Sequence, residues 1–238
     1  MAVHLTEEEQ LETLKRWWAE NGKSTVVGVV LAVAAYLGWN FWQDQKQVSA
    51  EAASAQYQML LEAVQVQPGT KLPEEKLATA KHLADELKSA SGGSLYASLG
   101  AMVKAKALLE SGEAEAAAAE LQWVIDRNTD AALTNTAKMR LARLQMAAEE
   151  YAAALQTVAD TDDISYKGAF AEVRGDVLVA QGKTSDARAA YQLALDYLVQ
   201  DLESRRPLLE MKLQDLQAAV PVAPAGSEGE SAPAGADS

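Results

Sequence analysis

The sequence predicts an all-α protein in which a single N-terminal transmembrane helix is followed by an α-solenoid of paired helices. Three observations support this fold class: an uncharged run of 20 residues near the N-terminus, a helical apolar period over most of the remaining chain, and small residues that recur about every 34 positions. No stretch alternates apolar and polar residues regularly enough to predict β-strands.

The composition excludes several classes of protein. The 238 residues include 21 lysines and arginines against 34 aspartates and glutamates, a formal net charge of −13, and no cysteine. Zinc ribbons, disulfide frameworks and cysteine nucleophiles are therefore excluded. Binding to nucleic-acid phosphates requires clustered lysine and arginine, so we expect no nucleic-acid partner.

The sequence contains few residues or motifs that could support catalysis. Its two histidines, His4 and His82, cannot form a metal site without distant carboxylates, and the serines near His82 in the sequence are no evidence for a catalytic triad. Residues 160–163, which read DTDD, resemble the opening of a calcium loop but lack its glycine and final glutamate, so an acidic loop between repeats is favoured. We predict that the protein is not an enzyme and has no catalytic, cofactor-binding or metal site.

Residues 1–23 are predicted to be a cytoplasmic amphipathic segment. Leu14, Trp17 and Trp18 recur at helical spacing, and Asn21-Gly22 is a typical helix end. Such a helix can lie along the membrane interface, although its five glutamates disfavour strong attraction to anionic lipid. Contact with a cytosolic protein through the same three residues is the alternative.

Residues 24–43 are predicted to cross the membrane, because 20 uncharged helical residues span ~30 Å, the thickness of a hydrocarbon core. A buried core helix and a cleaved signal peptide, with Val48-Ser49-Ala50 as its cleavage site, are the alternatives. Small residues four apart permit close helix packing, and tryptophans favour the interface. The candidate anchor and helix-packing residues are Ser24, Gly28, Ala32, Gly38, Trp39 and Trp42.

The distribution of cations predicts the orientation. Lys15, Arg16 and Lys23 precede the apolar span, whereas Lys46 alone lies within the next 20 residues. This asymmetry favours a cytoplasmic N-terminus and an exported C-terminal body. Residues 1–23 then carry a net charge of −2 and residues 44–238 one of −11, so the exported part is the acidic one.

The exported body is predicted to begin with a membrane-proximal helical hairpin at residues 44–94 and to continue with tetratricopeptide-like repeats at residues 95–200. Ala117, Ala154 and Ala187 lie 37 and 33 residues apart, which brackets the tetratricopeptide period of about 34. A non-repetitive helical bundle would have a similar apolar pattern and is the alternative. The candidate repeat-packing residues are Ala117, Ala154, Gly175, Gly182, Ala187, Tyr191 and Ala194.

The C-terminal end of the chain is predicted to close the solenoid. Residues 201–218 have the length and apolar spacing of a capping helix, which a solenoid needs at its end. Residues 219–238 are rich in proline, alanine, glycine and serine and are predicted to be a disordered tail.

Two motifs carry a resemblance to a known family. Residues 15–23 read KRWWAENGK, and after Gly28 the chain continues with Gly38-Trp39-Asn40-Phe41-Trp42. This pattern closely resembles the YfgM family, bitopic inner-membrane proteins of Gram-negative bacteria that are ancillary subunits of the SecYEG translocon. The likeness covers about 60 N-terminal residues by motif and the remainder by architecture. The long tail departs from the family pattern.

The resemblance implies a location, partners and a function. The protein would be a single-pass protein of the bacterial inner membrane with a cytoplasmic N-terminus and a periplasmic domain. It would act as an adaptor that associates with the SecYEG translocon and the periplasmic chaperone PpiD and assists exported client proteins. The alternatives are a regulator of envelope stress signalling, acting through its cytoplasmic segment, and a cell-envelope scaffold.

Overall fold

The computed structural model describes residues 7–67, 69–198 and 204–218. These ranges are helical and contain no strand, which confirms the all-α prediction. The predicted tail at residues 219–238 lies outside the described residues. The helices are α1 (Glu7–Ala63), α2 (Glu74–Ser91), α3 (Leu95–Ser111), α4 (Ala114–Arg127), α5 (Ala131–Ala147), α6 (Tyr151–Thr157), α7 (Ile164–Ala180), α8 (Thr184–Asp196) and α9 (Arg206–Ala218).

Helix α1 is continuous over 57 residues, and the predicted helix end near Asn21-Gly22 is wrong. Glycine costs a helix only about 1 kcal/mol relative to alanine, which does not interrupt a helix that is favourable on both sides. The Trp18 ring covers the bare face of Gly22, and the Asn21 side chain donates a hydrogen bond to the Trp17 carbonyl inside the helix. The segment before the membrane span therefore continues along the same axis.

The C-terminal part of α1 is also the first helix of the folded body. Ala53 and Leu60 are fully buried against α2 and α3, and the Tyr57 ring lies 5.9 Å from the Tyr96 ring. Only about ten residues, some 15 Å of helix, separate the membrane span from Ala53. The anchor and the body are thus joined by continuous helix rather than by a linker.

The body consists of helix pairs that repeat the same turn. The pairs α3–α4, α5–α6 and α7–α8 are each joined through a left-handed residue: Gly112 (φ 93°), Glu149 (φ 61°) and Gly182 (φ 73°). At each turn, the next residue donates a backbone hydrogen bond to a carbonyl five residues back. In Glu149 the left-handed conformation costs about 1–2 kcal/mol because of its Cβ atom, whereas glycine has no Cβ and avoids this cost.

The first helix of each pair begins with a side-chain cap. Ser94, Asp130 and Asp163 each accept a hydrogen bond from a backbone N–H two or three residues further on. Such caps satisfy amide groups that lack a partner within the helix. Asp163 belongs to the predicted acidic loop, and its carboxylate starts α7.

Helix α9 closes the solenoid against the last pair. Leu209 and Leu216 are buried in one cluster with Ala187, Tyr191 and Ala194 of α8. The described helix begins at Arg206, and residues 201–203 of the predicted capping helix lie outside the described residues.

Candidate interaction surfaces

The predicted membrane span is part of α1, and its apolar side chains are exposed. Leu31 and Phe41 are 64% and 72% exposed, and neighbouring valines are similarly uncovered. Within the described ranges, α1 is the one helix long and apolar enough to cross a membrane. A contiguous apolar surface of this size needs cover from lipid or from another protein.

The predicted helix-packing residues form an open strip on α1. Ser24, Gly28 and Ala32 follow one another at intervals of four residues and so share one side of the helix. Nothing lies within 4 Å of a Cβ built on Gly28 or Gly38, which leaves space for the backbone of a neighbouring helix. The role of this strip stays a prediction.

An aromatic cluster marks the C-terminal end of the span. The rings of Trp39 and Trp42 lie 5.2 Å apart, and Lys46 Nζ lies 3.7 Å from the centre of the Trp42 ring. Tryptophan favours the headgroup region, and a lysine one helical turn beyond it can reach the phosphates. The cluster thus fits the boundary between the hydrocarbon and the aqueous phase.

The predicted cytoplasmic contact residues are exposed on the first turns of α1. Leu14, Trp17 and Trp18 share a face at helical spacing, and each is at least 45% exposed. The two indole rings lie 6.2 Å apart. Their contact with a partner stays a prediction.

The three alanines of the predicted repeat occupy equivalent positions. Ala117, Ala154 and Ala187 are each the fourth residue of the second helix of a pair, and all three are fully buried. A small residue there allows the paired helices to approach closely, and a longer side chain would force them apart.

The last pair is held by a glycine and a tyrosine. A Cβ added to Gly175 on α7 would overlap the ring of Tyr191 on α8, which is 3% exposed. Tyr191 donates a hydrogen bond of 2.8 Å to Asp176. The pKa of the phenol is raised mainly because the ring is buried, and the Asp176 carboxylate raises it further. Ala194 is fully buried one turn further along α8, and Gly182 makes the intervening turn.

A buried ionic cluster, which the sequence did not reveal, joins α2, α3 and α4. Lys104 Nζ lies 2.6 Å from Asp85 and 2.8 Å from Glu120, and Lys88 lies 2.7 Å from the other oxygen of Glu120. Burial opposes the charge on Lys104, but the hydrogen bonds to both carboxylates prevail and raise its pKa. The cluster ties α2 to the pair α3–α4.

A second ionic cluster, also unforeseen, holds α9 in place. Glu172, 4% exposed, accepts hydrogen bonds from Arg205 and, at 3.0 Å, from Lys212. Lys212 also lies 2.6 Å from Asp176. Burial would raise the pKa of Glu172, but the hydrogen bonds from the two cations outweigh it and lower the pKa.

The described residues offer no group of three histidine, cysteine, aspartate or glutamate side chains able to hold a metal ion. The His82 side chain is 76% exposed and lies 4.0 Å from Glu86 on its own helix. In the acidic loop, Asp160 accepts a hydrogen bond from the Thr161 amide, and Asp163 is used as a helix cap. These groups serve local structure.

Known proteins that match this sequence agree with the helical architecture of the structure. A family model described as "Tetratricopeptide repeat-like domain" matches residues 15–218, from the first turns of α1 to the end of α9. A protein of Escherichia coli named "Ancillary SecYEG translocon subunit" is 31% identical, over 91% of this chain and 99% of its own length. The chain belongs to the YfgM family.

Other relatives carry the same name. The YfgM-family chain is 28% identical to the "Ancillary SecYEG translocon subunit" of Haemophilus influenzae and 27% identical to that of Neisseria gonorrhoeae. Both alignments cover 91% of this chain and the whole relative. The tetratricopeptide-like solenoid expected from the alanine spacing is thereby confirmed.

Proposed function

We propose that this YfgM-family protein is a single-pass inner-membrane adaptor that associates with the SecYEG translocon through α1. The observation that carries the proposal is the open small-residue strip on α1, in a chain whose relatives are named as translocon subunits. Without a hydrophobic driving force, helices associate in lipid through close packing, which such a strip permits.

The continuous α1 supports an adaptor role for the body. Because the solenoid begins on the same helix that crosses the membrane, a translocon bound to the span holds the solenoid close to the emerging chain. Tethering of this kind raises the effective concentration of a binding surface by orders of magnitude, to about the millimolar range for short linkers. The partners we propose on the body are the chaperone PpiD and exported client proteins, and no catalytic step is needed.

We propose a cytoplasmic N-terminus and a periplasmic body, on the basis of the cations before the span. Because the sequence has no cysteine, a single introduced cysteine is the one thiol that a maleimide can label, and its labelling reports the side of the membrane on which it lies. In spheroplasts, Gly93→Cys in the α2–α3 turn should react with a membrane-impermeant maleimide, and Gln10→Cys should react only after lysis. The reverse pattern would refute the orientation.

The association is tested by bulky substitutions on the strip. Gly28→Leu should hold a neighbouring helix away at a cost of about 1 kcal/mol, which lowers co-purification with SecYEG in mild detergent about fivefold. Val30→Leu, on the opposite side of α1, is the matched control and should leave co-purification unchanged. Equal recovery of SecYEG with both variants, and with residues 24–43 replaced by an unrelated apolar span, would rule out the proposal.

A further inference from the structure

A groove between the first two repeats combines an apolar floor with a basic rim. It has a volume of about 280 Å³, and Leu109, Leu121 and Leu144 form the floor while Lys106, Arg140 and Arg143 form the rim. Leu109, in the last turn of α3, is 46% exposed. We call this feature the basic groove.

The two arginines of the basic groove are unusual in having no partner. Elsewhere in the described body, Arg174 and Arg188 bond to backbone carbonyls, Arg205 bonds to Glu172, and Arg127 lies over the Trp123 ring. No described group accepts a hydrogen bond from Arg140 or Arg143, and both side chains are exposed. Lys106 has only a long 3.6 Å contact to Glu110 on its own helix.

The basic rim follows the repeat. Lys106 and Arg143 are 37 residues apart, the same interval that separates Ala117 from Ala154, so they occupy equivalent positions on α3 and α5. The equivalent position on α7 is Asp176, which is already bonded to Lys212 and Tyr191. The cationic strip therefore covers two repeats and ends at the third.

The charges at the groove indicate what it binds. The exported part of the chain has a net charge of −11, so unpaired arginines beside the exposed Leu109 are not needed for solubility. Arginine binds carboxylates in a bidentate manner, and a leucine-lined floor accepts apolar side chains.

We infer that the basic groove binds an acidic, amphipathic peptide segment of a partner protein, with its apolar side chains on the leucine floor and its carboxylates on Arg140 and Arg143. This inference rests on the proposed adaptor function and names the chemistry of the partner segment. Arg140 and Arg143 on α5, together with Lys106 on α3, orient the segment across the two helices, and the apolar floor supplies the contact area.

The test is binding of a defined peptide to the full-length protein in uncharged detergent micelles. A fluorescent amphipathic helix of about 16 residues, with leucine on one face and glutamate on the other, should bind saturably. Arg140→Glu/Arg143→Glu should weaken binding at least tenfold, and Leu109→Ser should also weaken it. Raising the salt from about 0.05 M to about 0.5 M should lower the affinity.

The matched control is Lys138→Glu/Lys183→Glu, which makes the same charge change outside the groove and should retain binding. Unchanged affinity in the groove variant, or equal affinity for a peptide with lysine in place of glutamate, would overturn the inference. Binding seen only after truncation at Ala218 would also overturn it, because the acidic tail with Glu228, Glu230 and Asp237 would then be the occupant.

The two proposals fail separately. The groove variant should still co-purify with SecYEG, because α1 is untouched, and Gly28→Leu should still bind the peptide. If the wild-type protein binds the peptide but does not co-purify with SecYEG, the translocon proposal alone is refuted. Intact SecYEG association with no peptide binding would refute the groove alone.

Discussion

Gly175→Val should lower the free energy of unfolding of the helical body by about 3 kcal/mol, the upper part of the range for overpacked cores. Even the Cβ atom would overlap the Tyr191 ring, and the ring cannot move aside without breaking its hydrogen bond to Asp176. For a domain of this size the midpoint of thermal unfolding should fall by about 6–12 °C. Circular dichroism of the full chain in detergent measures it.

Two further variants separate overlap from general damage. Gly93→Ala, in an open turn with nothing within 4 Å of its Cβ, should change the midpoint little. Tyr191→Ala removes the ring and should itself cost about 3–5 kcal/mol, but adding Gly175→Val should then cost much less than in the wild-type protein. Additive losses would show that Gly175 is not required by the tyrosine.

Glu172→Ala should release α9 from the solenoid at a cost of about 2–3 kcal/mol. The carboxylate is buried and bonded to two cations of the cap segment, and breaking such a cluster leaves charges uncompensated. Lys212 keeps Asp176 as a partner, which limits the loss. Limited proteolysis and hydrogen exchange in α9 should accelerate, while α3 and α4 should be unaffected. Glu115→Gln, an exposed acid on α4, is the control.

Glu172 also makes the docking of α9 sensitive to acid. Because the pKa of Glu172 is lowered in the folded protein, its contribution is complete above the usual carboxyl pKa of 4.5 and is lost as the pH falls through the lowered value. Wild-type protection of α9 should therefore fall as the pH is lowered below about 4.5, and Glu172→Gln should flatten this decline. An unchanged pH profile in the variant would contradict the assigned role.

The repeat was predictable because its signal is local. Buried alanines at intervals of 37 and 33 residues, and glycines at Gly112 and Gly182, mark helix pairs without any knowledge of distant contacts. The turn at Glu149 lacks this signal, since a glutamate in the left-handed region is chosen by the surrounding fold. Likewise, Asn21-Gly22 is a typical helix end that the favourable flanking helix overrides.

The ionic clusters and the basic groove were beyond sequence reasoning. Glu172 and Lys212 are 40 residues apart, and nothing in their spacing indicates a pair. Lys104 and Glu120 resemble solvated charges in the sequence, yet packing of three helices buries both. The basic groove has the same cause, because its floor and rim come from α3, α4 and α5 together.

Photocrosslinking along α1 tests the central claim most directly. A photoreactive residue is placed at each position from 24 to 43 in cells, and adducts with SecYEG subunits are identified. We expect adducts to rise and fall with the helical period, strongest at Ser24, Gly28 and Ala32 and weakest at Val26 and Val30 on the opposite side. Absence of SecYEG adducts along the whole span, in a protein that is inserted and folded, would contradict the account.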